Sequence, residues 1–180
     1  MLTNRIVVLG DSISAAFGLD PAEGWVNLIR PKLHCEVINE SINGETSYGG
    51  LKRINSLLQQ HKPKLIILEL GANDARHGIP PEVIKDNLQE IINRAQKTGA
   101  QILLLGVHVS NNYGQAYNES FDNVFLELAQ QLQLSLIPHL LKEVLAAGNL
   151  MQSDLLHPSA DAQEIIAMKV YEQILPLIKA

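Results

Sequence analysis

A serine, a glycine, an asparagine and an aspartate–histidine pair stand along this chain at places where nucleophilic chemistry could be assembled. Ser12 lies in VVLGDSIS, after a β-branched apolar run that stops at Gly10. Serine and aspartate are good N-caps, and the stretch predicts a turn opening into a helix with Ser12 at its N-terminus. There the helix dipole and free N–H groups favour developing negative charge, so the capping residue is also a candidate nucleophile. A serine hydroxyl attacks poorly at neutral pH without a base. SDLLHPSA offers one: Asp154 and His157 are three residues apart, so a single turn brings them to the same side. The carboxylate can hold Nδ1–H and leave Nε2 to take the serine proton. The competing reading is a polar loop in which Ser159 caps the last helix.

Two further stretches could supply oxyanion donors. In ESINGETS, Asn43-Gly44 is a turn signal, and the Gly44 N–H could point towards Ser12. In GAND, Asn73 carries a side-chain N–H donor, although asparagine equally suits a left-handed turn. Asp11 and Asp74 are expected to shape their turns rather than react. His34, His61, His77, His108 and His139 read mostly as surface or loop residues.

Elements able to position these groups are visible in the apolar pattern. Strands are expected at 5–10, 35–40, 64–71, 101–107 and 134–138. Helices are expected at 24–33, 49–61, 81–98, 115–132, 139–147 and 160–178. Helix 49–61 presents Leu51, Ile54, Leu57 and Leu58 on one face, and helix 115–132 carries Phe121, Val124, Phe125 and Leu128. Strands alternating with helices imply right-handed crossovers and a parallel sheet. The predicted fold is α/β: a three-layer αβα sandwich, flavodoxin-like, with strand order 2-1-3-4-5, in one domain over 1–180. In that order the crevice opens between strands 1 and 3, beyond their carboxyl ends. GDS and GAND would then face each other.

Composition narrows the classes. Apolar residues are 46% of the chain, charged residues 18% and the net charge is −5, a globular composition without a nucleic-acid footprint. No apolar run approaches the ~20 residues that span a bilayer. The single cysteine, Cys35, excludes an internal disulfide and reads as a buried, inert thiol. Strand-like sequence starts within a few residues of Met1, so the chain as written reads as intracellular, or as a trimmed mature form. No oligomerisation stripe stands out, and a monomer is expected.

The order and placement of Ser12, Gly44, Asn73, Asp154 and His157 resemble the SGNH, or GDSL-type, hydrolases. Within them, INGETSYGGLKR, LELGAND, NYGQAYNESF and LLHPSADAQ are similar to the bacterial thioesterase I / protease I / lysophospholipase L1 subgroup. The resemblance implies a serine esterase acting on acyl esters and thioesters. Ser12, Asp154 and His157 would be catalytic, and Ser12, Gly44 and Asn73 would form the oxyanion hole. It implies no metal and no cofactor, and places the segment matching 108–118 near an acyl crevice. Tyr113, Leu155 and Leu156 are expected on the crevice rim. Three departures stand out. Ala72 occupies a place where relatives often have glycine, and Leu155-Leu156 a place where they often have Gly-Ile. The third is location: relatives are usually periplasmic or secreted behind a leader, and none is expected in the sequence as written, which reads as cytoplasmic. The alternatives are a carbohydrate or small-ester O-acetylesterase of the same fold and, further off, a non-enzymatic receiver or binding module using Asp11 and Asp74.

Overall fold

The computed structural model describes residues 5–109 and 111–178. Strands β1 (Arg5–Gly10), β2 (Glu36–Asn39), β3 (Leu65–Glu69), β4 (Gln101–Leu105) and β5 (Ser135–Ile137) form one parallel sheet in the order β2-β1-β3-β4-β5. Among the described residues the α-helices are α1 (Trp25–Ile29), α2 (Ser47–His61), α3 (Ala72–Arg76), α4 (Pro81–Lys97), α5 (Gln115–Leu132), α6 (Lys142–Ala147) and α7 (Ala160–Ile178).

Strand side chains alternate between faces, and that alternation builds the layers. Val7 and Leu9 of β1, Ile66 and Leu68 of β3, and Ile102 and Leu104 of β4 share a core with α2, α4 and α5. Their neighbours Ile6, Val8, Leu65, Ile67, Leu103 and Leu105 share the opposite core with α1, α6 and α7. Because both faces are covered, β3 is buried at all five positions and is apolar from Leu65 to Leu68. The expected αβα sandwich and strand order are both present. Leu51 is partly buried on α2 behind Ile54, Leu57 and Leu58, and the four named apolar residues of α5 are buried.

Several local expectations are corrected. Ser12 does not open a helix: residues 12–18 form successive turns, with Ala15 N–H on Asp11 O at 2.9 Å and Phe17 N–H on Ser12 O at 3.0 Å. Ala16, at φ +58°, leaves right-handed helical space there. Helix 24–33 is instead α1 followed by a 3₁₀ turn over Arg30–Lys32, since Pro31 has no N–H for the carbonyl four residues back. Asn73 sits in the first turn of α3, not in the left-handed turn that asparagine equally suits, and α3 is too short to show a period. The last short helix starts at Lys142, not 139. Cys35 is half-buried rather than buried, and burial pushes its thiol pKa up.

The register positions the site. Gly10 and Glu69 are paired ends of β1 and β3, so Ser12 and Asn73 emerge side by side. The loop after β2 is tied to the same place, because Ile42 N–H donates to Gly10 O at 3.0 Å.

Candidate active site

Ser12 is half-buried at the start of its turn. The capping task assigned to it belongs to Asp11, whose Oδ1 accepts the Ile13 N–H at 3.0 Å. Ser12 Oγ instead lies 2.9 Å from His157 Nε2. The close approach of the chain ends explains Gly10. A Cβ there would sit 2.8 Å from Ser14 Oγ and 2.9 Å from Glu69 Oε2.

His157 Nδ1 lies 2.6 Å from Asp154 Oδ2. Asp154 Oδ1 accepts the N–H groups of Leu156 at 2.9 Å and His157 at 3.0 Å. The His157 hydrogen bond, followed by those two N–H groups, holds the Asp154 carboxyl down at about 2. It is therefore a carboxylate at neutral pH and can only accept. Nδ1 must carry the hydrogen, and the Nε2 of a neutral His157 is left as acceptor for the Ser12 hydroxyl. Ser159 does not cap α7 with its hydroxyl: its Oγ is buried without a partner, and its backbone oxygen receives the Ala162 N–H.

Asn73 is buried, and its Nδ2 donates to Asp11 Oδ2 and to Glu45 O, both at 3.0 Å. Gly44 lies in the turn closed by Glu45 N–H on Ile42 O at 3.1 Å, with φ +75°, a conformation glycine adopts freely. Asp74 shapes its surroundings as expected: its carboxylate takes Ser47 N–H at 2.8 Å and Ser47 Oγ at 2.5 Å. This fixes the start of α2 beneath the loop carrying Gly44 and leaves that carboxylate committed, unlike an open receiver aspartate.

A crevice of about 130 Å³ opens at Ser12 and His157. Its apolar wall includes Ile13, Val107, Val109, Leu141, Leu145 and Leu156. Tyr113 and Ala72 also line it. Leu155 does not: it is 78% exposed, at φ +59°, and points away from the lining. Two histidines read as surface residues belong to the crevice. His108 and His139 line it with ring centroids 5.0 Å apart, and His108 Nδ1 meets Asp122 Oδ1 at 3.0 Å. His61 also has a partner, Glu40 Oε1 at 2.8 Å.

Sequence reasoning missed three contributors. Glu69 is fully buried at the end of β3, and its Oε2 accepts Ser14 Oγ at 2.8 Å and Asp11 N–H at 3.3 Å. A lone acid closing an apolar strand was the available signal, because a buried carboxyl requires partners. Gln152 Nε2 donates to Phe17 O at 2.7 Å and Pro158 O at 3.0 Å, joining the histidine loop to the serine turn. Phe17 lies against the His157 ring, centroids 4.5 Å apart. Neither Gln152 nor Phe17 had a visible sequence signal. No helix among the described residues is long and apolar enough to cross a membrane.

This parallel sheet, with a serine–histidine–aspartate chain at its switch point, defines a hydrolase of the SGNH type, and the chain belongs to the GDSL-like Lipase/Acylhydrolase family, which matches residues 8–165. Esterase TesA of Pseudomonas aeruginosa is 40% identical, covering 96% of this chain and 89% of that protein. Thioesterase 1/protease 1/lysophospholipase L1 of Escherichia coli K12 is 35% identical, covering 97% and 85%. The crystal structure of the psychrotrophic esterase EstA from Pseudoalteromonas sp., inhibited by monoethylphosphonate, superposes with a TM-score of 0.92 at 34% identity, covering 98% of this chain and all of that one.

Proposed function

We propose that this protein is a serine esterase that hydrolyses acyl esters and thioesters through an acyl-enzyme. The observation carrying the reading is the continuous chain from Ser12 Oγ to His157 Nε2 and from His157 Nδ1 to Asp154, 2.9 and 2.6 Å long, at the mouth of an apolar crevice. Ser12 Oγ attacks the acyl carbon as His157 Nε2 takes its proton. Asp154 holds the tautomer and stabilises the imidazolium. The Ser12 and Gly44 N–H groups and the Asn73 amide receive the oxyanion. The imidazolium then protonates the leaving alcohol or thiol. Water, deprotonated by the same histidine, releases the acid and restores Ser12. Every proton in this cycle moves through the chain's own side chains.

The crevice wall and the relatives named as thioesterase and lysophospholipase favour fatty acyl groups. The test is hydrolysis of p-nitrophenyl esters from acetyl to palmitoyl, with acyl-CoAs alongside and Ser12→Ala as control. Rates should peak at medium or long chains and fall to background in Ser12→Ala. A peak at acetyl would move the assignment to a small-ester or carbohydrate O-acetylesterase, and activity surviving in Ser12→Ala would remove Ser12 as the nucleophile.

A further inference from the structure

The hydrolytic cycle leaves one titratable group at the centre of the site without a task. Asp11 borders the crevice beside Ser12, yet it is only 1% exposed. Burying a carboxyl is costly unless its oxygens are bonded, so the bonds indicate what it holds. Oδ1 takes the Ile13 N–H, and Oδ2 takes the Asn73 amide at 3.0 Å. A side-chain amide has two hydrogens, and Glu45 O receives the other, also at 3.0 Å. Both Asn73 hydrogens are thus engaged within the protein. An oxyanion forming at Ser12 must take one over. Of the two acceptors, Asp11 lines the crevice and Glu45 does not.

We propose that Asp11 is the positioning residue of the oxyanion hole: Oδ2 keeps one Asn73 N–H turned towards the crevice and yields it to the oxyanion when Ser12 attacks. The proposal rests on the serine-esterase reading above. Glu69 supports Asp11 from below through the Asp11 N–H. Burial, then the Asp11 charge, pushes Glu69 well above the ordinary carboxylate range. Asp11 is pushed up to about 6 by burial, opposed by the Ile13 N–H, Glu69, His157 and Arg76. Above that value Asp11 carries its negative charge. It strengthens the hold on Asn73, since hydrogen bonds to an ionised acceptor are roughly twice as strong as neutral ones.

The test is a double-mutant cycle between Asp11→Asn and Asn73→Ala, read as kcat and KM. In Asp11→Asn the new NH₂ must face either the Ile13 N–H or the Asn73 NH₂, donor against donor. Asn73→Ala should lower kcat about 10²–10³-fold. Asp11→Asn should lower it about 10–100-fold with KM within about twofold, and should add less than about threefold in the Asn73→Ala background. Losses that multiply, or an Asp11→Asn or Asn73→Ala kcat within about twofold of wild type, overturn the proposal. If Asp11→Asn does not fold, the Asn73 side-chain amide resonances of the wild-type protein carry the test. They should shift as Asp11 titrates near pH 6, and fixed positions from pH 5 to 8 overturn it. Failure of the esterase reading is seen separately, as activity surviving in Ser12→Ala.

Discussion

Asp154 holds His157 at two points: Oδ2 at the ring Nδ1, 2.6 Å away, and Oδ1 at the backbone N–H, 3.0 Å away. One carboxylate therefore fixes both the position of the histidine and its tautomer. Asp154→Asn keeps the size of the side chain but can present an NH₂ to Nδ1, which favours the tautomer with its hydrogen on Nε2. That histidine cannot take the serine proton. The expected loss in kcat is about 10³–10⁴-fold with KM little changed. Steady-state kinetics checks this, and a loss below about tenfold would remove Asp154 from the catalytic chain.

Asp154 and Asp11 are shifted in opposite directions, and their effects on stability have opposite signs. Asp154 sits at about 2, below the ~3.9 of an unfolded aspartate. Its contribution is present above about pH 4 and is lost as pH falls through about 2. Asp11 sits at about 6, above its unfolded value, so between about pH 4 and 6 the folded state binds more protons than the unfolded state. Its contribution therefore declines as pH rises through that window, and Glu69, also raised by burial, carries the same sign. Urea unfolding at pH 4, 5 and 6 should show Asp11→Asn losing part of the wild-type decline. An identical slope in wild type and variant would place the titration elsewhere.

Gln152 joins two loops that are distant in sequence. Its Nε2 bonds to Phe17 O and Pro158 O should keep the His157 ring in reach of Ser12. Gln152→Ala removes both and leaves two carbonyls to find water. Each lost bond costs about 0.5–1.5 kcal/mol. The expected outcome is a stability loss of about 1–2 kcal/mol in urea unfolding and a fall in kcat of roughly tenfold, because small misplacements of reacting groups are expensive. Unchanged kcat at reduced stability would limit Gln152 to a structural role.

The parts legible in the sequence were those set by local pattern and topology. Unbroken apolar runs revealed a sheet covered on both faces, and crossover rules put the ends of β1 and β3 together. Ser12, Asn73 and the Asp154–His157 pair were readable because each lies just beyond such an end or within one turn. The hydrogen bond from Asn73 to Asp11 was not readable, because it depends on the register pairing Gly10 with Glu69. His108 with Asp122 and His61 with Glu40 were missed for a related reason: partners 14 and 21 residues apart have no periodic signature. The turns after Ser12 read as a helix in the sequence because Ala16 is a strong helix former, yet it adopts φ +58°.

Leu155 and Leu156 are adjacent, but only Leu156 faces the crevice. Leu155 is 78% exposed at φ +59°, a left-handed conformation that turns its side chain out of the lining. If the crevice holds the acyl chain, the two residues should separate in their effect on chain-length preference. Burying a CH₂ is worth about 0.8 kcal/mol, so Leu156→Ala should raise KM for a decanoyl ester about 3–10-fold and leave acetyl-ester kinetics unchanged. Leu155→Ala should leave both within about twofold, since an exposed side chain gives up little apolar contact on truncation. Equal losses in the two variants would mean that the outer surface of the histidine loop, rather than the crevice lining, binds the chain.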